Sequence, residues 1–429
     1  MTSLSTQFGA STPAHPNESL PPLVPLLQRI LGASDPAFMA QLDERDLQSE
    51  DGLRRALFPV TREYTYLNHA AVGPAPASVA WATRQAFDEV SRSGSIAMDG
   101  RQPDVEAREA FGRLINVSPQ TIAFTKNVSD SFLTIAQGLD WRPGDNIVTA
   151  ACEFPANVYP WLNLAEQGVE TRFASVVDGR LPLDEIAARI DERTRLVSIS
   201  FVEFGSGIRN DVAAIARLAH AVGALCAVDG IQGLGALQLD ATAAELDFVS
   251  SGSAKWLLSP AHLGLLYVRP EAQSLLRVAR RGWRSFEKPF DFFNYDQPLL
   301  QCAERLEGGS NNWLGLVSLH AALALLDVAG AQQIEARALA LAARVRAGVA
   351  ERDCEITSPD APEERSAIVT FRARSIHDDD AAAEAVARLA SETHVVVSAR
   401  NGLMRVSPHF YNTEEDIQRL LDGLDRILA

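Results

Sequence analysis

The sequence has few cysteines and no long apolar run, and each shortage excludes a class of protein. Its 429 residues include four cysteines, Cys152, Cys226, Cys302 and Cys354. They are widely scattered and form no CxxC pair, which argues against both a disulfide framework and a metal site. No stretch approaches the ~18 consecutive apolar residues of a membrane span. No basic segment followed by an apolar one opens the chain, so no secretory signal is predicted.

The charge is strongly of one sign. A formal net charge of −16 at pH 7 gives a surface that repels nucleic acid and anionic lipid. We therefore expect neither nucleic acid nor a membrane as a partner, and we predict a cytoplasmic protein.

Lysine is also scarce, and this narrows the search for chemistry. It occurs only at Lys126, Lys255 and Lys288, so an enzyme that needs a lysine nucleophile has three candidates. A buried lysine is of most interest, because desolvation disfavours its charged form and leaves the neutral amine that attacks aldehydes.

The length suits two or three domains. Residues 1–60 are predicted to be an N-terminal extension, of which the first ~20 residues, rich in Ser, Thr and Pro, are disordered and the rest form short helices. Residues 61–310 are predicted to form a large cofactor-binding domain, and residues 311–429 a small C-terminal α/β domain.

Within residues 61–310, short apolar runs alternate with helical patterns such as 129–139 and 212–221. This alternation predicts an α/β fold with a mainly parallel seven-stranded sheet covered on both sides. The candidate strands are 121–125, 146–150, 171–176, 196–204, 225–228, 247–251 and 264–268. After residue 311, a long helical stretch from Leu314 to about Ala350 precedes short strands at 367–372, 394–398 and 403–406 and a closing helix from Glu414.

Ligands of open parallel sheets bind beyond the carboxyl ends of the strands. The segments that follow the candidate strands are Asn127–Ser129, Glu153–Phe154, Glu203–Ser206, Asp229–Gln232 and Ser251–Lys255. Asp229 is either a helix cap or a carboxylate that keeps a pyridine nitrogen protonated, and Lys255 one strand later favours the second interpretation. Together they indicate pyridoxal 5′-phosphate (PLP) held as a Schiff base on Lys255.

The segment Phe124–Ser131 opens a helix after a strand, where free backbone N–H groups and short hydroxyls suit a phosphate. The same residues also suit an ordinary helix cap. Lys126 is given a surface or phosphate-side role, because no acid-bearing strand is spaced to serve it.

These motifs, taken in order, resemble the class V aminotransferase and cysteine desulfurase superfamily of fold-type I PLP enzymes. The resemblance covers roughly residues 61–425 and is strongest to the isopenicillin N epimerase-like branch. Besides the Asp229 and Lys255 segments, it is carried by Tyr66–Ala71, Glu153–Trp161, Arg305–Ser310 and Leu403–Thr413.

The resemblance implies a role for each matching residue around the cofactor ring. Lys255 would carry PLP, Asp229 would pair with the pyridinium nitrogen, and Gln232 would lie near the phenolic oxygen. Phe154 would stack on the ring, although it also fits a core position.

The resemblance also implies the phosphate and substrate contacts. Ser129 and the amides of Val128 and Ser129 would hold the phosphate, with Ser251 or Ser253 replacing a missing histidine donor. Ser310 would reach the phosphate from the neighbouring subunit of a homodimer whose active sites lie at the interface.

Arg405 would grip the substrate carboxylate in a bidentate fork, and Asn68 and His69 would sit at the substrate mouth. The alternative, non-functional interpretations are a surface ion pair for Arg405 and a structural role for His69.

The chain departs from the cysteine desulfurase pattern at several positions. Phe154 stands where those enzymes have a histidine over the ring, Phe204 stands where an asparagine is usual, and Gly252–Lys255 replaces Ser-Gly-His-Lys. The loop before the carboxylate arginine carries their catalytic cysteine, but Val395–Gly402 contains none. These departures argue against persulfide chemistry and leave the PLP site intact.

The expected function is that of a PLP-dependent enzyme acting at Cα of an amino acid, as a transaminase or an epimerase-like enzyme. The alternative is a C–S or C–C β-lyase on a cysteine conjugate or related amino acid. A cysteine desulfurase and a non-catalytic PLP-binding protein rank below both. No metal is expected.

Overall fold

The computed structural model describes residues 19–99 and 101–428. Most of the segment that we predict to be disordered, residues 1–18, therefore lies outside the described residues.

The described residues form helices and strands that are numbered here in chain order. The helices are α1 Val24–Gly32, α2 Pro36–Met39, α3 Glu50–Leu57, α4 Ala77–Ser93, α5 Pro103–Ile115, α6 Val128–Gly138, α7 Tyr159–Leu162, α8 Leu183–Ala187, α9 Val212–Ala221, α10 Pro270–Gln273, α11 Trp313–Ala329, α12 Ala331–Ala350, α13 Asp379–Thr393 and α14 Glu414–Leu428. The strands are β1 Thr65–Tyr66, β2 Ile122–Thr125, β3 Asn146–Ala150, β4 Glu170–Ala174, β5 Thr194–Ser200, β6 Leu225–Asp229, β7 Phe248–Gly252, β8 Gly264–Val268, β9 Cys354–Ile356, β10 Val369–Ala373, β11 Val395–Val396, β12 Ser398–Arg400 and β13 Leu403–Val406.

A seven-stranded sheet forms the centre of the large part of the chain, in the order β2-β8-β7-β6-β5-β3-β4. The pairs from β4 across to β7 are parallel, and β8 runs antiparallel to both of its neighbours. Most of these strands are buried along their whole length, as expected for a sheet covered on both faces. The prediction of an α/β fold with a mainly parallel seven-stranded sheet is confirmed.

Parallel strands place their carboxyl ends at one edge of the sheet. The register pairs Ser200 at the end of β5 with Asp229 at the end of β6, and Asp229 with Ser250 in β7. The residues that follow these strands are therefore brought together at this edge, as expected for a ligand site.

The long helical stretch predicted from Leu314 to Ala350 is two helices. Gly330 separates α11 from α12 with a φ of +88°, a left-handed conformation that ends helices and favours glycine. The two helices are bent by 82°. Among the described residues no single helix is long and apolar enough to cross a membrane, and only the bent α11–α12 pair, taken together, has that length and composition.

A four-stranded antiparallel sheet, in the order β12-β13-β10-β9, forms the centre of the C-terminal part. Helices α12, α13 and α14 pack around it, and their apolar residues share one buried cluster. The strand predicted at 394–398 is divided, because β11 pairs in parallel with β1 while β12 pairs with β13. Strands β1 and β9 were not predicted from the sequence.

Helices α1 and α3 of the N-terminal extension pack into the same apolar cluster as the central sheet. The Arg337 guanidinium donates to the backbone carbonyls of Pro21, Phe410 and Asn412, and so joins this extension to the C-terminal part. The domain boundaries after residues 60 and 310 stay predictions.

Candidate active site

Lys255 lies just beyond β7, half-buried, whereas Lys126 and Lys288 are both exposed. Burial lowers the pKa of Lys255 to about 8; the Asp229 carboxylate opposes this shift, and the charges of Arg405 and Arg400 add to it. The ammonium makes no hydrogen bond or ion pair to any described residue. Lys255 is therefore the lysine with the reactive surroundings.

The backbone beside Lys255 is held by close contact with Gly73. The Gly73 N–H donates to the Ala254 carbonyl at 2.8 Å, and a Cβ on Gly73 would lie only 2.1 Å from the Lys255 carbonyl oxygen. Only glycine allows this approach. Contact with the Asn68–Gly73 turn thus holds the main chain at Lys255 in place.

Asp229 ends β6 and is 2% exposed. Its Oδ1 accepts from the Ile231 N–H at 3.0 Å, and burial raises its pKa to about 6. It is therefore largely ionised at neutral pH, and it can supply the negative charge that a protonated pyridine nitrogen requires.

Two further carboxyl groups, Glu153 and Glu203, are buried at the same edge. Glu153 accepts from the N–H and hydroxyl of Ser200, and Glu203 accepts from the Asn210 side chain at 2.9 Å. Burial raises the pKa of Glu203 to about 7 and that of Glu153 well above its usual range. The Oε2 atom of Glu203 has no partner among the described residues.

Neither Glu153 nor Glu203 was predicted from the sequence to be a site residue. The feature that identified Asp229, an acidic residue at the end of a strand of the central sheet, could also have identified both glutamates.

Arg405 in β13 is 1% exposed. Its Nε donates to the Ser398 hydroxyl at 3.2 Å and its Nη1 to the Phe204 carbonyl at 2.6 Å, while its buried Nη2 has no partner among the described residues. Burial, and next the charge of Arg400, lower its pKa to about 10, so it remains a cation. The surface ion pair considered as an alternative is not what is observed.

Phe154 and Phe204 form an aromatic wall beside the lysine. Their rings meet edge to face at a centroid distance of 5.1 Å, and the Lys255 Nζ lies 5.7 Å from the Phe154 centroid. Phe154 is 44% exposed. It therefore presents a free apolar surface next to the amine, which a core position would not do.

The residues predicted for the phosphate lie around the start of α6. Val128 and Ser129 open this helix, where the first N–H groups have no partner within the helix. Ser251 is buried in β7, and the Ser253 hydroxyl already donates to the Pro260 carbonyl. Ser310 lines a cleft of about 310 Å³ with Lys126, Asp130 and other residues of the same chain. Its contribution to a neighbouring subunit stays a prediction.

Gln232 and His69 are held by other side chains. The Gln232 amide donates to the Ala70 carbonyl at 3.0 Å and accepts from the Trp256 indole at 3.1 Å. The two ring nitrogens of His69 contact the Ser407 carbonyl at 2.9 Å and the Tyr411 hydroxyl at 2.8 Å.

His69 is fully buried, and burial lowers its pKa well below the usual value. The structural-histidine alternative therefore describes His69 better than a place at the substrate mouth. Asn68 differs from it, because its Oδ1 is buried without a partner among the described residues.

These residues fit PLP on three observations. A half-buried lysine with an unpaired amine lies near a buried acid. A buried guanidinium has one nitrogen free. The start of α6 offers backbone N–H groups. Within residues 19–99 and 101–428 no group of His, Cys, Asp or Glu is arranged to hold a metal ion.

Comparison with known proteins agrees with this geometry. The family model described as "Aminotransferase class-V" matches residues 65–420. A "Probable cysteine desulfurase" of Methanothermobacter thermautotrophicus is 29% identical over 89% of this chain and 98% of its own. A "Cysteine desulfurase" of Enterobacter sp. is 30% identical over 87% and 97%. The solved apo structure of a cysteine desulfurase from Thermococcus onnurineus superposes with a TM-score of 0.77 at 24% identity, covering 87% of this chain and 96% of that one.

Proposed function

We propose a function from the premise that this chain belongs to the aminotransferase class-V family. The chain is a PLP-dependent enzyme with the type I fold of PLP-dependent transferases. The proposal is that it removes the Cα proton of an amino acid and acts as a transaminase or an epimerase-like enzyme. We also propose that the chain belongs to the isopenicillin N epimerase-like branch of the family.

The observation that supports it is a half-buried amine and a buried guanidinium, both with polar atoms that lack partners, near the carboxyl edge of the sheet. Lys255 has an unpaired amine, and Arg405 has a buried Nη2 without a partner among the described residues. Buried charges that lack partners are costly, and sites of this kind are where ligands bind and reactions occur.

When bound, PLP supplies an electron sink that weakens the bonds at the Cα of an amino acid joined to it. In our proposal Lys255 anchors it and Asp229 keeps its ring nitrogen protonated. Val128 and Ser129, with Gln232 and either Ser251 or Ser253, would hold its polar groups; Ser253 would do so by exchanging its hydrogen bond to the Pro260 carbonyl. Phe154 packs against its ring.

Lys255 is also the proposed base. A pKa of about 8 leaves a fraction of the amine neutral at neutral pH, so Nζ can take a proton from Cα and return it. Arg405 holds the substrate in register for this transfer, because its free Nη2–H can donate to a carboxylate oxygen.

The same geometry argues against a persulfide mechanism. Strands β12 and β13 are joined by only two residues, Asn401 and Gly402, both with positive φ, a turn that leaves no loop for a mobile cysteine. Burial raises the pKa of Cys152, Cys226, Cys302 and Cys354, so none is a ready thiolate.

A C–S or C–C β-lyase acting on a cysteine conjugate is the second candidate. It is suggested by the relatives named "Probable cysteine desulfurase" and "Cysteine desulfurase", at 29% and 30% identity, since both names describe removal of sulfur from cysteine. Its first step is the same proton removal by Lys255, and it differs in expelling a group from Cβ.

The test is to incubate the holoenzyme in D₂O with single amino acids, and then with L-alanine plus a 2-oxo acid or with L-cysteine. A transaminase forms pyruvate only when the 2-oxo acid is present. With an epimerase, the amino acid gains deuterium at Cα and its solution loses optical rotation. A lyase releases pyruvate and sulfide from L-cysteine.

The control variant carries serine at all four cysteine positions, after its fold has been checked by circular dichroism. We expect it to keep the native reaction. A persulfide on the wild-type protein, together with loss of turnover in the cysteine-free variant, would return the chain to desulfurase chemistry.

A further inference from the structure

The hairpin of β12 and β13 places a second arginine, Arg400, on the same face as Arg405. The register pairs Ser398 with Arg405 and Arg400 with Leu403. Directly opposed residues of an antiparallel pair, and residues two apart on one strand, share a face of the sheet. Arg400 therefore lies on the face from which Arg405 meets Ser398, two residue pairs nearer the turn.

The two-residue turn fixes this arrangement. Asn401 has a φ of +51° and Gly402 a φ of +69°, the left-handed pair that joins antiparallel strands most tightly. Arg400 is the last residue of β12, so its Cα is held by the ladder and not by a loop.

Arg400 has no acid of its own. It is exposed, its Nη1 donates to the Ala399 carbonyl at 2.6 Å, and it makes no ion pair with any residue in the described part of the chain. Its charge also acts on both neighbouring cations, since it lowers the pKa of Lys255 and of Arg405. No acid opposes that effect at Arg405.

Two guanidinium groups thus face one site, one buried and one at its rim, without a protein carboxylate for either. Like charges so arranged are unfavourable until anions bind. An amino acid supplies one anion through its α-carboxylate, which Arg405 takes in the proposed function.

We propose that the substrate is an amino acid whose side chain carries a second carboxylate, and that Arg400 binds this second carboxylate. The inference rests on the proposed function. The planar guanidinium matches a carboxylate in bidentate geometry, and Arg400 has its Nε and Nη2 free for that purpose. Arg400 is then a specificity-determining residue that does not take part in proton transfer.

The experiment measures binding of two unreactive acids to the holoenzyme by calorimetry. Glutarate carries two carboxylates, and pentanoate has the same number of carbons but only one carboxylate. We expect glutarate to bind at least tenfold more tightly than pentanoate. Arg400→Gln should bring that ratio close to one while pentanoate affinity stays within about twofold, and Arg400→Lys should keep part of the ratio.

Two further variants separate this inference from the proposed function. Arg217→Gln, which removes an exposed charge from α9, should leave both affinities unchanged. Arg405→Gln should weaken both acids, and unchanged pentanoate binding there would count against the role of Arg405. A wild-type ratio near one, or a ratio that survives Arg400→Gln, would overturn the inference about Arg400.

Discussion

Arg54 is a buried cation and Lys255 a half-buried one, and their surroundings are opposite. The Arg54 Nη1 lies 2.6 Å from the Asp416 Oδ2, and the two side chains are 3% and 2% exposed. Asp416 also accepts from the Asn412 side chain and the Thr413 N–H. The buried Asp229 carboxylate acts on the charge of Lys255, but the Lys255 amine has no hydrogen-bond or ion-pair partner among the described residues.

The comparison distinguishes charged groups that stabilise the fold through an ion pair from charged groups that are available to bind a ligand. Removing one partner of a buried pair leaves an uncompensated charge and destabilises the protein. A charged group that has no partner loses no ion pair when it is replaced, so its replacement should cost little stability. Its surroundings appear instead as a shift of its pKa. The two regions should therefore respond oppositely to substitution.

The largest effect is expected at Lys255. Lys255→Ala should remove both the absorbance of the bound cofactor and all turnover, because no other described lysine has the surroundings of a reactive amine. Lys126→Ala and Lys288→Ala, at exposed positions, should keep that absorbance. The spectrum of each purified variant decides the matter, and an unchanged spectrum in Lys255→Ala would refute the assignment.

The structural cluster should show its effect in stability. Arg54→Ala leaves Asp416 buried without its cation, which costs about 3–5 kcal/mol of unfolding free energy. The folded fraction should still bind PLP. Urea denaturation gives the value, and Arg55→Ala, which breaks an exposed pair with Asp51, is the control at about 1 kcal/mol or less.

Asp229 should affect rate more than stability. Asp229→Asn should still bind PLP but lose two or more decades in rate, about 3 kcal/mol of barrier. The matched control is Asp247→Asn, a buried acid already paired with His220 and Arg269. We expect that variant to lose stability and keep its rate per folded molecule. A near-normal rate in Asp229→Asn would count against the pyridine-nitrogen role.

Glu203 should change the pH dependence of stability. Its folded pKa is raised to about 7 from an ordinary 4.5, so its contribution is fully present below pH 4.5 and is lost as the pH rises through 7. Glu203→Gln stays neutral and should remove on the order of 3 kcal/mol of the decline between pH 5 and 8.

Thermal unfolding of the cofactor-free protein at several pH values measures this effect. Glu363→Gln, at an exposed acid, is the control. Equal slopes for the wild-type protein and Glu203→Gln would show that Glu203 titrates normally.

Most strands of the central sheet could be predicted because they are short, largely apolar runs closed by polar residues, although β4 is mostly polar. Asp229 and Lys255 could be predicted for the same reason, since both follow such runs. The state of His69 could not, because the Ser407 and Tyr411 groups that occupy its ring nitrogens lie about 340 positions away in the chain. The place of Arg400 depends on the register of a hairpin, which local sequence does not give.

The strand β1 has a consequence for how the protein is made. Thr65 and Tyr66 pair with Val395 and Val396, 330 positions later in the chain, and the adjacent Leu67 is buried among residues 341–427. A ribosome adding about 5–20 residues per second takes roughly 20–60 seconds to cover that distance. Throughout that time the nascent chain carries an unsatisfied strand edge near its beginning. A chain that ends before Val395 therefore lacks the partner strand of Thr65 and Tyr66.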